Sequence, residues 1–179
     1  MSIRALLASA SLAMTAFPAF AGQEAEALIA STATLISDPA RGEAAFSESI
    51  DVPAVARFAL GRHVRRISVD ESQRFTAAFD SFIDSTFEKH RDDFTNAEVK
   101  VIGSVDRSAT DSIVETRVTP PGKDEMIVRW RVMERDGEWR VVDVEMLGLW
   151  LAIEQRAQIA AILDKPRATI DDAIAALDS

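Results

Sequence analysis

The segment Met133 to Leu163, MERDGEWRVVDVEMLGLWLAIEQRAQIAAIL, constrains the fold more than any other part of the chain. A strand ends at Arg135. Asp136-Gly137 follows, the pair that two-residue hairpin turns prefer because both central positions take φ > 0. A second strand runs from Glu138 to Met146. Gly148 then breaks the alternation, and an apolar helix starts almost at once, from about Leu149 to Leu163. The unit contains no nucleophile, no metal-ligand cluster and no phosphate loop. It offers apolar surface on both sheet and helix, which suits holding an apolar molecule better than performing chemistry.

Upstream, a period of two sets in at Ala97. It predicts strands at Glu98 to Asp106, Ser112 to Thr119, Glu125 to Glu134 and Glu138 to Met146. In the third, Met126, Val128, Trp130 and Val132 share one face, with Arg129 and Arg131 on the other. In the fourth, Val142, Val144 and Met146 share a face. This alternation predicts an antiparallel meander with one covered and one wet face. Helical spacing covers Gln23 to Ser37 and Arg41 to Ser49. Asp51 as N-cap, Pro53 and Gly61 bracket another helix, Val52 to Leu60. Ser68-Val69-Asp70-Glu71 reads as a capping box. It opens a helix with Phe75, Ala78, Phe79, Phe82, Ile83, Thr86 and Phe87 on one stripe. Thr169 with Asp172 caps a short last helix. The predicted class is α+β, with a four-stranded antiparallel sheet and helices packed on its covered face around an apolar cavity.

The first residues carry one cation, Arg4, then a small and apolar run and Ala19-Phe20-Ala21, an A-x-A cleavage pattern. The run is shorter than the roughly 20 apolar residues a bilayer span needs. We expect a signal peptide at 1–21, export to the periplasm, and a single mature domain at 22–179. Cleavage removes Arg4 and no acid, so Lys+Arg falls from 20 to 19 against 29 Asp+Glu and the net charge moves from −9 to −10. Such acidity opposes binding to nucleic acid and to anionic membrane surfaces. The chain has no Cys, and its length can bury a core without disulfides.

Candidate chemistry is sparse. The two histidines, His63 and His90, lie on different elements and lack metal-ligand spacing. His90 reads as a solvated surface residue; His63 is a candidate for a pocket mouth or a partner surface. Asp143, Glu145 and Glu115 form an acidic group, but Arg129 and Arg131 beside them predict cross-strand ion pairs rather than acid–base catalysis. No serine sits in a G-x-S-x-G elbow. The phenylalanine stripe is either ordinary core or one wall of an acyl-chain cavity, faced by Met126, Val128 and Trp130.

Three stretches carry a resemblance to a known family: Ala56 to Arg62 (ARFALGR), Gln73 to Phe87 (QRFTAAFDSFIDSTF) and Asp136 to Leu163, with DGEWRVVDV at its start. Over nearly all of its mature length the chain resembles the MlaC-type periplasmic phospholipid-binding proteins, the toluene-tolerance family. It departs from them at Trp150, where a small residue is common, and at Val64 and Glu154-Gln155. The resemblance implies a lipid carrier that is not an enzyme and needs no cofactor. Its partners would be phospholipid, an outer-membrane lipoprotein–porin complex and an inner-membrane ABC transporter with a ring of MCE domains; some relatives are linked to hopanoids. A monomer is expected. Tail contacts would come from Phe75, Phe79, Phe82, Ile83 and Phe87, from Met126, Val128, Trp130, Val132, Val142, Val144 and Met146, and from the stretch Leu149 to Ile153, with Leu149, Trp150 and Ile153 foremost. Arg57, Arg62 and Arg156 are the candidate headgroup cations, with a buried ion pair as the competing role for Arg57 and Arg156. An NTF2-like enzyme with a polar cavity, or a module that binds only protein, are the rival classes.

Overall fold

The computed structural model describes residues 21–178. The expected signal peptide therefore lies outside the described residues, except for Ala21 at the start of the first helix. The elements are α1 (Ala21–Ile36), α2 (Gly42–Ser49), α3 (Val52–Leu60), a 3-10 turn at Gly61–Arg65, α4 (Val69–Phe94), β1 (Glu98–Ser108), β2 (Asp111–Thr119), β3 (Met126–Arg135), β4 (Glu138–Met146), β5 (Leu149–Trp150), α5 (Leu151–Leu163) and α6 (Ile170–Leu177).

Local chemistry sets the helix boundaries. The Asp51 carboxylate accepts from the Ala54 N–H at 3.1 Å and starts α3. Ser68 accepts from the Glu71 N–H at 3.2 Å, while Glu71 reaches back to the Ser68 N–H at 2.8 Å. Two orphan donors at the head of α4 are thereby satisfied together. Asp172 does the same for the Thr169 N–H, at 2.7 Å.

The sheet is a meander in the order β1-β2-β3-β4-β5, antiparallel throughout. Asp136 and Gly137 both have positive φ, 55° and 84°, as the hairpin turn requires. Two features depart from the sequence expectation. First, there are five strands rather than four. Leu147 and Gly148 also take positive φ, 53° and 82°, and make a second two-residue turn. The chain therefore folds back to pair Leu149 with Met146 and Trp150 with Glu145 before the helix begins at Leu151. Second, Arg131 pairs with Asp143 but Val132 pairs with Val141, so Val142 is the extra residue of a β-bulge. Trp139, Val141, Val144 and Met146 consequently share the inner face, and Val142 does not belong to that set.

The inner face is the core. Val114, Val118, Val128 and Val132 are fully buried beneath the helices, with Phe75 and Phe79 of α4 and Ile29 of α1. One buried polar chain crosses it: the Trp130 indole N–H donates to Thr116 Oγ1 at 2.9 Å, and Thr116 donates to the Val128 carbonyl at 3.1 Å. On the outer face Arg129 bridges Glu115 and Glu145 at 2.9 and 3.0 Å, and Arg131 bonds Asp111 through two nitrogens. The Arg129 pairs are the expected cross-strand ion pairs, whereas Arg131 takes Asp111 rather than Asp143 as its partner. No described helix is long and apolar enough to cross a membrane.

Candidate functional site: an apolar slot under the first turn of α5

Between the helices and β4 lies an apolar slot. Phe79, Phe82 and Ile83 of α4 form one wall, Phe46, Ile50 and Val55 the floor, and Val141, Val142 and Val144 of β4 the facing wall. Leu151, Ala152 and Gln155 of α5 close it, and Thr86 and Asp143 complete the lining. The cavity volume is about 80 Å³. Pockets that enclose a drug-sized ligand measure about 300–1,000 Å³, so the slot is well below that size.

The helix spacing that aligns the phenylalanines also divides them. Phe79, Phe82 and Ile83 reach the slot, whereas Phe75 packs 5.9 Å from Phe79 and is wholly buried in core. Phe87 does not line the slot but stacks on its Phe46, 4.7 Å away, and on Phe94, 6.0 Å away. Val128, Trp130 and Val132 are buried core beneath the sheet surface, and Met126 and Met146 pack at its margin. Of the expected β4 residues, Val144 lines the slot through its inward side and Val142 lines it at the bulge. Leu149 and Ile153 are exposed, at 59% and 55%. Trp150 lies on the outer sheet face, beside a depression it shares with Ile102, Ile113 and Arg129.

Leu151 and Ala152 fall within the expected stretch Leu149 to Ile153; residues that sequence reasoning did not place in the site are Phe46, Ile50, Val55, Val141 and Gln155. Phe46 and Val55 read as apolar faces of short helices, and nothing local indicated which part of the sheet those helices would meet.

The three candidate cations stand apart from the slot lining. Arg62 pairs with Asp164, the residue that ends α5. Arg156 lies over the Phe58 ring, 4.9 Å from its centroid, a cation–π contact. Arg57 lines a surface depression with Arg135 and Arg140. Arg57 and Arg156 are both exposed, which rules out the buried ion pair weighed for them. His63 is buried with Nε2 3.0 Å from Asp164 Oδ1, while His90 is exposed. Among the described residues no group of three or more His, Asp or Glu side chains can hold a metal ion.

Among the described residues, Asp143 is the one ionisable side chain that lines the slot. Its Oδ1 accepts from the Val144 N–H at 2.9 Å and from the Ala152 N–H at 2.8 Å. Burial pushes its carboxyl above the usual range, opposed by those two N–H donors and by Arg131. The sequence pattern assigned it to wet-face pairing. In the structure it instead caps α5 from across the hairpin, because the N-cap residue Trp150 has no side-chain acceptor to offer.

An antiparallel meander with helices over one face and a small apolar slot between them defines a class of α+β domain. Within that class the chain matches the model of the MlaC protein family over residues 39–179 and belongs to this family. Its fold is similar to that of a phospholipid-binding protein from Ralstonia solanacearum, solved in complex with a phospholipid. The TM-score is 0.74 at 20% identity, covering 89% of this chain and 96% of that one. No curated protein matches the chain in sequence.

Proposed function

We propose that this protein is a carrier that holds the acyl tails of a phospholipid between α4, α5 and β4. It is proposed to work in the periplasm, after export, as a soluble monomer between an outer-membrane lipoprotein–porin complex and an inner-membrane ABC transporter with MCE domains. The observation that carries the reading is the slot itself, lined by Phe, Val, Ile, Leu and Ala with polar side chains only from Thr86, Asp143 and Gln155. Family membership supports it, as does the likeness to a fold that was solved with phospholipid bound.

The physics of the cargo fits such a site. Each methylene moved from hydrocarbon to water costs about 0.8 kcal/mol, so a sixteen-carbon tail faces about 12 kcal/mol and two tails about twice that. A dry wall that covers the tails removes most of this cost and needs no catalytic group. It also predicts weak headgroup selectivity.

The variant that tests the site is Phe82→Asp, because Phe82 is half-buried in the slot wall and its loss spares the deep core. Val128→Arg would place a charge in the fully buried core and unfold the chain. Mature protein should take fluorescent phosphatidylcholine from vesicles, and folded Phe82→Asp should take up less than a tenth as much. Equal uptake by the two would remove the slot as the tail site.

A further inference from the structure

The two ends of α1 are held by different means. Beyond its C-terminal end the Asn96 N–H donates to the Ser37 carbonyl at 3.0 Å, just before β1 starts. Along its length Ala25, Ile29, Thr32, Ala33 and Ile36 are buried. Near its N-terminal end Ser104 of β1 donates to Glu26 Oε1 at 2.5 Å. The backbone of Gly22 lies flush on the same strand. A Cβ added to Gly22 would come 2.5 Å from Ser104 Oγ and 3.1 Å from Asp106 Oδ1. Real Cβ atoms essentially never approach a neighbour within 3.0 Å, and Ser104 is held in place by Glu26. Glycine is therefore the residue that lets the head of α1 lie this close to β1.

Asp106 is the unsatisfied member of this contact. Among the described residues no cation pairs with its carboxylate, and the adjacent Arg107 turns instead to Asp111 at 3.7 Å. The Gly22 nitrogen and the Cβ position share one Cα and are about 2.5 Å apart, so that nitrogen lies no more than about 5.6 Å from Asp106 Oδ1. In the uncleaved chain it is a neutral amide. The cleavage expected after Ala19-Phe20-Ala21 changes its chemistry. Water adds across the Ala21–Gly22 peptide and the C–N bond breaks. The water oxygen goes to Ala21, which leaves as a carboxylate, and both water hydrogens go to the Gly22 nitrogen, which becomes an ammonium. Such a group is charged below its ordinary pKa of about 7.7–8.0.

We propose that Asp106 is the seat of the mature N-terminus: removal of residues 1–21 creates an ammonium on Gly22 that pairs with Asp106 and fastens the head of α1 to β1. An ammonium at the start of a helix opposes the helix dipole, so unaided the new terminus would loosen α1. A carboxylate within about 4–6 Å favours the charged form and reverses that sign. Cleavage thus completes the contact between α1 and β1, and the uncleaved chain lacks it. The proposal goes beyond the carrier reading and holds whatever the slot binds. It rests on the expected export, which the mass of the exported protein decides.

The full chain is expressed in a bacterial host that exports to the periplasm, and the purified protein is weighed intact. A mass that begins at Gly22 is expected; any other first residue overturns the proposal. Thermal midpoints are then measured at about pH 6, where the α-amino group is charged. Four proteins are compared: the exported protein, its Nα-acetylated form, Asp106→Asn, and Asp106→Asn with the acetyl group. Asp106 is exposed, so the substitution leaves the core untouched. Acetylation and Asp106→Asn should each lower the midpoint by about 2–4 °C. Together they should lower it no further than either does alone, because both remove one and the same pair. Without the pair, acetylation relieves the unfavourable charge at the helix start and raises the midpoint. A raised or unchanged midpoint on acetylation, or an effect of acetylation that is the same with Asp106 and with Asn, would overturn the proposal. None of these outcomes involves lipid, so the carrier reading stands or falls separately on vesicle uptake.

Discussion

Phe75 and Phe82 lie seven positions apart on one helix stripe, yet they do different work. Phe75 has no exposed surface and packs on Phe79. Phe75→Ala should cost about 3–5 kcal/mol in urea unfolding, the range for truncating a buried aromatic. Phe82 reaches the slot and leaves stability less dependent on it. At Asp143, burial holds the carboxyl above its ordinary value of 3.8, so its ionisation works against folding. Its contribution to stability is present below that value and is lost as pH rises through the raised one. A carbon-detected NMR titration should place the Asp143 midpoint above those of the exposed aspartates, and Asp143→Asn should abolish that part of the pH dependence. The inward residues of β3 were legible from alternation alone. Those of β4 were not: Val141-Val142 is a repeat of one residue type, so a bulge between them leaves no mark in the pattern.

Elements were legible where their ends carry chemistry. The boundaries of α3 and β4 follow from Asp51, Gly61 and the Asp136-Gly137 turn, and the structure keeps them at Val52–Leu60 and Glu138–Met146. Ser68→Ala should cost about 1 kcal/mol, the usual value of an N-cap hydroxyl, and lower the thermal midpoint by about 2–4 °C. β5 escaped notice because it is two residues long, and its turn is built on Leu147 rather than Asn or Asp. A leucine in the left-handed region is strained by about 1–2 kcal/mol, and here its side chain is 89% exposed and gains little packing in return. Leu147→Asn should therefore raise the thermal midpoint by about 2–4 °C per kcal/mol recovered. The four helices before the sheet were visible in sequence, as was the place of α4 and of the start of α5 in the slot, but the part of α2 and α3 in it was not. That depends on contacts between α2, α3, α5 and β4 that are far apart along the chain.

At the scale of the whole molecule, exposed carboxylates tie the elements together. Asp93 is held below its ordinary value chiefly by its hydrogen bond to Lys123, and Asp164 chiefly by its bond to Arg62. Lowered values mean that this stabilisation is present at neutral pH and is lost as pH falls through and below about 3.8. These pairs lie at the surface, with Asp93 half-buried, so each is worth little on its own. Their joint loss predicts acid unfolding that begins in the carboxylate range, followed by circular dichroism, against which Asp143 works in the opposite direction. The molecule that results encloses an apolar slot between the aromatic helix α4, β4 of the sheet and the start of α5, an arrangement that suits the proposed carrier of acyl tails. The most direct test is native mass spectrometry of the protein purified under native conditions, with organic extraction of the same sample. The account predicts a mass excess that resolves into diacyl phospholipid. A clean ligand-free mass, together with no uptake from phospholipid vesicles, would contradict it and make the slot ordinary core.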